Sequence, residues 1–199
     1  LLLDNGRNLP ARVVGYDLAT GFGLLQPLAP LNIEPAPLGA SRGVAPEDGL
    51  LVVSGEPSAQ LSAARMVSRR AFAGYWEYRI DDALFTSPPR TDHSGAALFN
   101  PRGELVGIGS LVVNNALGSE GPMLPGNMFV PIDLLKPILA ELLHTDQRTA
   151  DFLGEIVGGV DLGTERPDVD GQRLCGGGGR LCFGEVAVLG HQADDGIAP

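Results

Sequence analysis

Short apolar runs separated by turn-forming residues occupy most of the chain before residue 132. Many of these runs alternate apolar and polar positions or are rich in β-branched residues, which is typical of β-strands. The pattern predicts strands over the following segments: Ala11–Tyr16, Gly23–Leu28, Leu50–Ser54, Arg65–Arg69, Tyr75–Ile80, Ala96–Asn100, Glu104–Ser110 with a continuation to Asn114, and Asn127–Pro131. Prolines and small residues dominate positions 31–49, and this composition predicts a connection between two substructures.

The spacing of the apolar residues changes at residue 132, from the alternation of strands to the three- and four-residue spacing of a helix. This spacing predicts one helix over residues 132–146, with Asp133 as its N-cap and Pro137 in its first turn. Several short strands followed by a terminal helix predict an all-β fold, either a barrel or a sandwich. Beyond the helix the periodicity is weak and glycine is frequent. Residues 147–199 are therefore interpreted as a tail, a linker or the disrupted start of another domain.

Composition supports the strand-rich interpretation and excludes some partners. The chain has 28 glycines and 16 prolines among 199 residues, against a usual combined share of roughly 12%, and this excess favours many turns over a helix bundle. The formal net charge of −10 argues against a nucleic-acid partner, because no basic surface is available to replace the counterions of phosphate. No apolar run approaches the length of roughly 18 residues that a transmembrane helix needs.

The two cysteines, Cys175 and Cys182, flank a glycine-rich run. Two interpretations stay open: a small disulfide loop, or two unrelated thiols in a tail. Their spacing matches no metal site. The chain opens at Leu1 without an initiator methionine, which leads to the expectation that it is an internal piece of a longer gene product.

The segment with the clearest chemistry is the run from Asp92 through His93 and Ser94 to Gly95. A serine followed by glycine and small residues permits a tight turn that exposes the hydroxyl. Such a turn can also direct successive main-chain N–H groups to one point, as an oxyanion hole requires. Two interpretations of Ser94 stay open: a candidate nucleophile, or a serine that serves only the turn.

These residues resemble the trypsin-like serine proteases and, within them, the HtrA/Deg branch. Ser94, Gly95, Ala97 and Leu98 match the serine motif of that branch, and the run 103–108 matches the hairpin that follows it. The run 127–135 is similar to the last strand and C-terminal helix of the branch, and an upstream stretch from Asp4 to Leu25 is similar to another of its segments. The resemblance covers about residues 1–145.

The resemblance implies a chymotrypsin-like double β-barrel whose first barrel is truncated, with a C-terminal helix. Residues 1–30 would be the remnant of the first barrel, 31–49 the connection, 50–131 the second barrel with the serine loop, and 132–146 the helix. It implies a serine endopeptidase that acts on unfolded proteins or peptides, with no cofactor and no metal, in the periplasm or cell envelope. It also allows a homo-oligomer and a following PDZ domain.

The chain departs from the family pattern at the positions that carry the chemistry. Gly21 stands where the family has its triad aspartate, and glycine can neither orient a histidine nor stabilise an imidazolium. The triad histidine would precede Leu1. His93 is a poor general base, because neighbours on one turn generally point apart. His144 and His191 are also poor candidates, because one follows the final helix and the other lies in the tail.

The predicted oxyanion hole consists of the main-chain groups of Asp92, His93 and Ser94. Asp92 replaces a family glycine whose N–H helps to line the hole, and His93 replaces the residue before the serine. The sequence therefore leads to an HtrA-type serine endopeptidase domain that is weakly active or inactive. The alternative is a pseudoprotease, a peptide-binding or regulatory module of envelope protein quality control. Whether the chain is an enzyme stays open at this stage.

Overall fold

Antiparallel β-strands make up most of the computed structural model, which describes residues 1, 3, 6–31, 33–54, 60–73, 79–143 and 186–188. The described strands are β1 (Ala11–Tyr16), β2 (Gly23–Pro27), β3 (Gly49–Ser54), β4 (Gln60–Ala73), β5 (Arg79–Ser87), β6 (Ala97–Phe99), β7 (Leu105–Val113), β8 (Gly126–Pro131) and β9 (Val186–Val188). One α-helix, α1 (Leu135–Leu143), follows β8. The predicted all-β class with a C-terminal helix is confirmed.

Six of these strands close into a barrel in the order β3-β4-β5-β8-β7-β6. Closure leaves no unpaired strand edge within the barrel. Alternate residues point inward, as the two-residue period of a strand requires: Leu50 and Val52 are buried, whereas Leu51 between them is exposed. The barrel interior is filled by apolar side chains from all six strands: Leu50, Val52, Ala64, Met66, Leu84, Leu98, Val106 and Phe129.

The remaining strands form a sheet in the order β1-β2-β9. The pairing of β1 with β2 is antiparallel, and that of β2 with β9 is parallel. This sheet and α1 pack against the outside of the barrel through a second apolar cluster, which includes Phe22, Phe85 and Leu142. The approach is close at Gly15, where a Cβ atom would lie 2.7 Å from the carbonyl oxygen of Leu142. A larger residue at this position would force the helix away.

Two strands differ from the sequence prediction by several residues. Strand β4 runs from Gln60 to Ala73, well beyond the predicted Arg65–Arg69, and β5 runs from Arg79 to Ser87 instead of ending at Ile80. The acidic pair at Asp81 and Asp82 interrupts the apolar pattern, but pairing with β4 and β8 continues the strand through it. The predicted aromatic run at 75–78 lies outside the described residues.

The helix also begins later than predicted. A single 3₁₀ turn, Ile132–Leu134, precedes α1. Asp133 makes no side-chain cap there; its carboxylate accepts hydrogen bonds from the Arg42 main-chain N–H at 3.0 Å and from Lys136 Nζ at 2.7 Å. Pro137 does lie in the first turn, where its missing N–H costs little.

Several predictions fall on residues that the structure does not describe. These are the predicted helix end at 144–146 and both cysteines, Cys175 and Cys182. His144 and His191 also lie outside the described residues. Within the part of the chain that is described, no helix is both long and apolar enough to cross a membrane.

Candidate active site

The serine turn lies in the loop between β5 and β6, and Ser94 is exposed there. Gly95 has a φ of +71°, a left-handed conformation that glycine adopts without steric cost. Its N–H donates to the carbonyl oxygen of Gly109 on β7 at 2.9 Å, and the Gly109 N–H donates back to the Ala96 carbonyl oxygen at 2.8 Å. These main-chain hydrogen bonds hold the end of the turn on the barrel wall.

Gly109 is required by the approach of this loop. A Cβ atom at Gly109 would lie 2.0 Å from the carbonyl oxygen of His93, so any other residue would push the serine turn away from β7. The glycine therefore sets the depth at which the serine turn sits on the barrel.

The ring of His93 contacts the backbone of its own loop. His93 Nδ1 lies 3.0 Å from the Thr91 carbonyl oxygen, and because a carbonyl only accepts, Nδ1 carries the proton. In the described part of the chain, the Ser94 hydroxyl has no hydrogen-bond partner. Among these residues, the structure thus provides Ser94 with no general base.

The Asp92 carboxylate is held by two side chains. Arg90 donates from Nε to Oδ1 at 2.7 Å and from a terminal nitrogen to Oδ2 at 2.5 Å. The Ser54 hydroxyl donates to Oδ2 at 2.5 Å from the end of β3. The hydrogen bonds from Arg90, and then that from Ser54, hold the pKa of the Asp92 carboxyl well below its usual range. The carboxylate therefore stays ionised beside Ser94.

The start of the same loop is held by Asn127, a residue of β8 that is only 1% exposed. The Arg90 N–H donates to Asn127 Oδ1 at 2.7 Å, and Asn127 Nδ2 donates to the Arg90 carbonyl oxygen at 2.9 Å. The amide side chain thus continues the sheet pairing into the loop. Both Ser54 and Asn127 were missed as site residues; the available signal was a polar residue in an apolar strand, which needs a buried partner.

Gly21 lies in the turn between β1 and β2. Its φ is +78°, and its N–H donates to the Asp17 carbonyl oxygen at 2.8 Å. The Asp17 carboxylate accepts from the Thr20 N–H at 2.8 Å and from the Thr20 hydroxyl at 2.6 Å. Both Gly21 and Asp17 therefore serve the geometry of this turn.

The structure brings the predicted oxyanion-hole residues Asp92, His93 and Ser94 onto one loop of the closed barrel, whereas Gly21 belongs to the three-stranded sheet. The two regions share one apolar core, because Phe22, next to Gly21, packs in the same cluster as Phe85 of β5.

Comparison with known proteins is decisive for the family. Residues 1–108 match the family described as trypsin-like peptidase domain. The chain belongs to the trypsin-like peptidase family. No curated protein matches this peptidase domain.

Solved structures similar to the peptidase domain include two of the HtrA-type protease AlgW. The complex of AlgW with a tripeptide has a TM-score of 0.58 and 20% identity, covering 71% of this chain and 46% of that one. The complex with a decapeptide has a TM-score of 0.58 and 20% identity, covering 76% and 50% respectively. The chain spans about half the length of these structures. They confirm the trypsin-like fold expected from the sequence.

Proposed function

We propose that this chain is an HtrA-type peptidase domain that binds unfolded proteins or peptides and hydrolyses them weakly or not at all. The trypsin-like family and the fold similarity to AlgW support the general class. The AlgW structures are described as complexes with peptides, which supports an extended peptide as the ligand here.

The observation that carries the low activity is the ionised carboxylate of Asp92, two residues before Ser94. Acyl transfer develops negative charge on the substrate oxygen, and stabilisation of that charge requires N–H donors or other positive groups. Asp92 adds a negative charge close to that point, although Arg90 neutralises part of it. Gly21, at the expected position of the triad aspartate, adds a second loss of activity. Removal of that aspartate lowers kcat by about 10⁴ in the prototype serine protease.

The second candidate function is that of a pseudoprotease, which keeps the peptide cleft without turnover. Gly21, Asp92 and His93 together favour it, because they replace the residues with which the family orients its base and lines its oxyanion hole. The wider proposal includes a cell-envelope location, a homo-oligomer and a first barrel represented by residues 1–30. These points rest on the resemblance to HtrA-type proteases.

A labelling experiment tests the proposal and separates its two forms. The protein and its Ser94→Ala variant are treated with a fluorescent fluorophosphonate, and binding of a labelled unfolded polypeptide is followed by anisotropy. Ser119, an exposed serine in the β7–β8 loop, supplies the matched control Ser119→Ala. Slow labelling that depends on Ser94 supports a weak peptidase. Polypeptide binding without labelling supports the pseudoprotease, and absence of both overturns the proposed function.

A further inference from the structure

Side chains of two barrel strands hold the loop that carries Ser94, and a third interaction within the loop connects them. Asn127 holds the main chain of Arg90, Arg90 holds the Asp92 carboxylate, and Ser54 holds that carboxylate from β3. The connections span the barrel wall, because Ser54 precedes Asp92 by 38 residues and Asn127 follows Arg90 by 37. A loop that needed only to cross from β5 to β6 would require none of them.

The position of Asp92 connects these attachments to the serine turn. Asp92 lies two residues before Ser94, and its carboxylate accepts hydrogen bonds from Arg90 and from Ser54. The Asp92 N–H occupies the position of the family glycine whose N–H helps to line the oxyanion hole. A carboxylate held by Ser54 and Arg90 thus fixes a negative charge on the same residue as that donor.

We propose that Ser54, Arg90 and Asp92 form a latch that restrains the serine turn and fixes the Asp92 carboxylate, with its negative charge, beside the place where a substrate oxyanion would form. The latch consists of these three side chains, and Asn127 is the residue that positions it by holding the Arg90 backbone. Its meaning for catalysis rests on the proposed function, because it concerns an oxyanion formed at Ser94. Its existence as a conformational restraint does not depend on that function.

Burial distinguishes the latch from an ordinary surface ion pair. The side chains of Arg90 and Asp92 are 25% and 28% exposed, and Ser54 is 4% exposed. Water therefore has limited access to the Asp92 carboxylate and to the side chains that bind it. Removal of Ser54 or Arg90 leaves the carboxylate underpartnered, and the loop must open for water to replace the lost donor.

The chain contains a matched control for the arginine of the latch. Arg79 donates from Nε to Asp81 Oδ1 at 2.7 Å, with the same residue types, spacing and Nε–Oδ1 distance as Arg90 and Asp92. This control pair lies on the surface, with side chains 73% and 74% exposed. Arg79→Gln therefore reproduces the chemical change of Arg90→Gln outside the latch.

Amide hydrogen exchange measured residue by residue by NMR tests the latch without reference to activity. Ser54→Ala and Arg90→Gln are each expected to speed exchange at the hydrogen-bonded amides of the serine loop, those of Gly95 and Ala96, by about tenfold. Arg79→Gln is expected to leave these amides unchanged. Amides of β8 report the global fold in every variant, and Asp92→Asn, which keeps the side-chain shape, replaces any variant that fails to fold.

The outcomes separate the latch from the proposed function. Faster exchange confined to the serine loop in both latch variants supports the latch, whether or not the protein binds peptide. Unchanged loop exchange in folded Ser54→Ala and Arg90→Gln proteins overturns the latch and leaves the proposed function standing. In the labelling assay, Asp92→Gly is then expected to increase the Ser94 labelling rate relative to the unmodified protein. No increase, with the loop shown to be open, overturns the catalytic meaning of the latch.

Discussion

Two arginine–aspartate pairs, each separated by one residue, have opposite surroundings in this molecule. Arg90 and Asp92 lie in the serine loop, are about three-quarters buried and share a third partner, Ser54. Arg79 and Asp81 lie at the start of β5, and each is about three-quarters exposed. In both pairs the arginine Nε donates to the aspartate Oδ1 at 2.7 Å, and Arg90 also donates from a terminal nitrogen to Asp92 Oδ2. Burial, a second hydrogen bond and an additional fixed partner therefore distinguish the pair in the serine loop from the ion pair on the surface.

The largest expected effect comes from removing the residue that positions the buried pair. Asn127→Ala leaves the N–H and carbonyl of Arg90 without the amide that holds them, and buried unpaired polar groups cost about 1–3 kcal/mol each. We expect a loss of about 3 kcal/mol in the free energy of unfolding, measured by urea denaturation. The exposed Asn114 supplies the control Asn114→Ala, expected to change stability by less than about 0.5 kcal/mol. Equal losses in the two variants would contradict the assigned role of Asn127.

A smaller effect, with a defined pH dependence, is expected from Asp92→Asn. The pKa of Asp92 is lowered in the folded protein, so its ionised form stabilises the fold. This contribution is complete above the ordinary aspartate pKa of about 3.9 and is lost as the pH falls below it towards the lowered folded value. We expect the free energy of unfolding of the unmodified protein to exceed that of Asp92→Asn by about 1 kcal/mol at neutral pH. The difference should shrink as the pH falls towards about 3.

The matched variant for this pH series is Asp81→Asn. Urea denaturation of both variants and of the unmodified protein is repeated at each pH. It gives the difference in the free energy of unfolding between the unmodified protein and each variant. A difference for Asp92→Asn that stays constant or grows as the pH falls would contradict the assignment of its stabilisation to the ionised carboxylate.

The smallest effect is expected at the exposed pair. Arg79→Gln should change the free energy of unfolding by less than about 0.5 kcal/mol, because water and salt screen an ion pair on the surface. Urea denaturation at low salt and again at about 1 M sodium chloride checks this, since added salt should remove what little difference exists. A loss comparable to that of Asp92→Asn would show that burial does not distinguish the two pairs.

The apolar pattern predicted much of the fold because most strands here are short and bury one face. The predicted strand Ala11–Tyr16 has the observed bounds, and those of Leu50–Ser54 differ by one residue. Prediction was less accurate where pairing with distant strands extends a strand through polar residues, as at Asp81 and Asp82 in β5. The same limit applies to the helix start, where Asp133 interacts with Arg42, which is 91 residues away in sequence.

The candidate site was predicted only in its local part. Ser94 and Gly95 form a turn because serine and glycine next to each other favour one, and the sequence alone indicates this. Ser54 and Asn127 join the site because barrel closure brings β3 and β8 to the same loop. No local pattern contains that information, since each residue lies 37 or 38 positions from its partner.

By itself, the sequence determined the strand-rich class and the serine turn, because each depends on residue type and near neighbours. Only the tertiary structure decided what the charge at Asp92 does. An aspartate in an isolated loop would be exposed to solvent, as Asp81 is on the surface. In the closed barrel, Ser54 and Arg90 hold its carboxylate against the wall, because loop closure brings partners together that no sequence window contains.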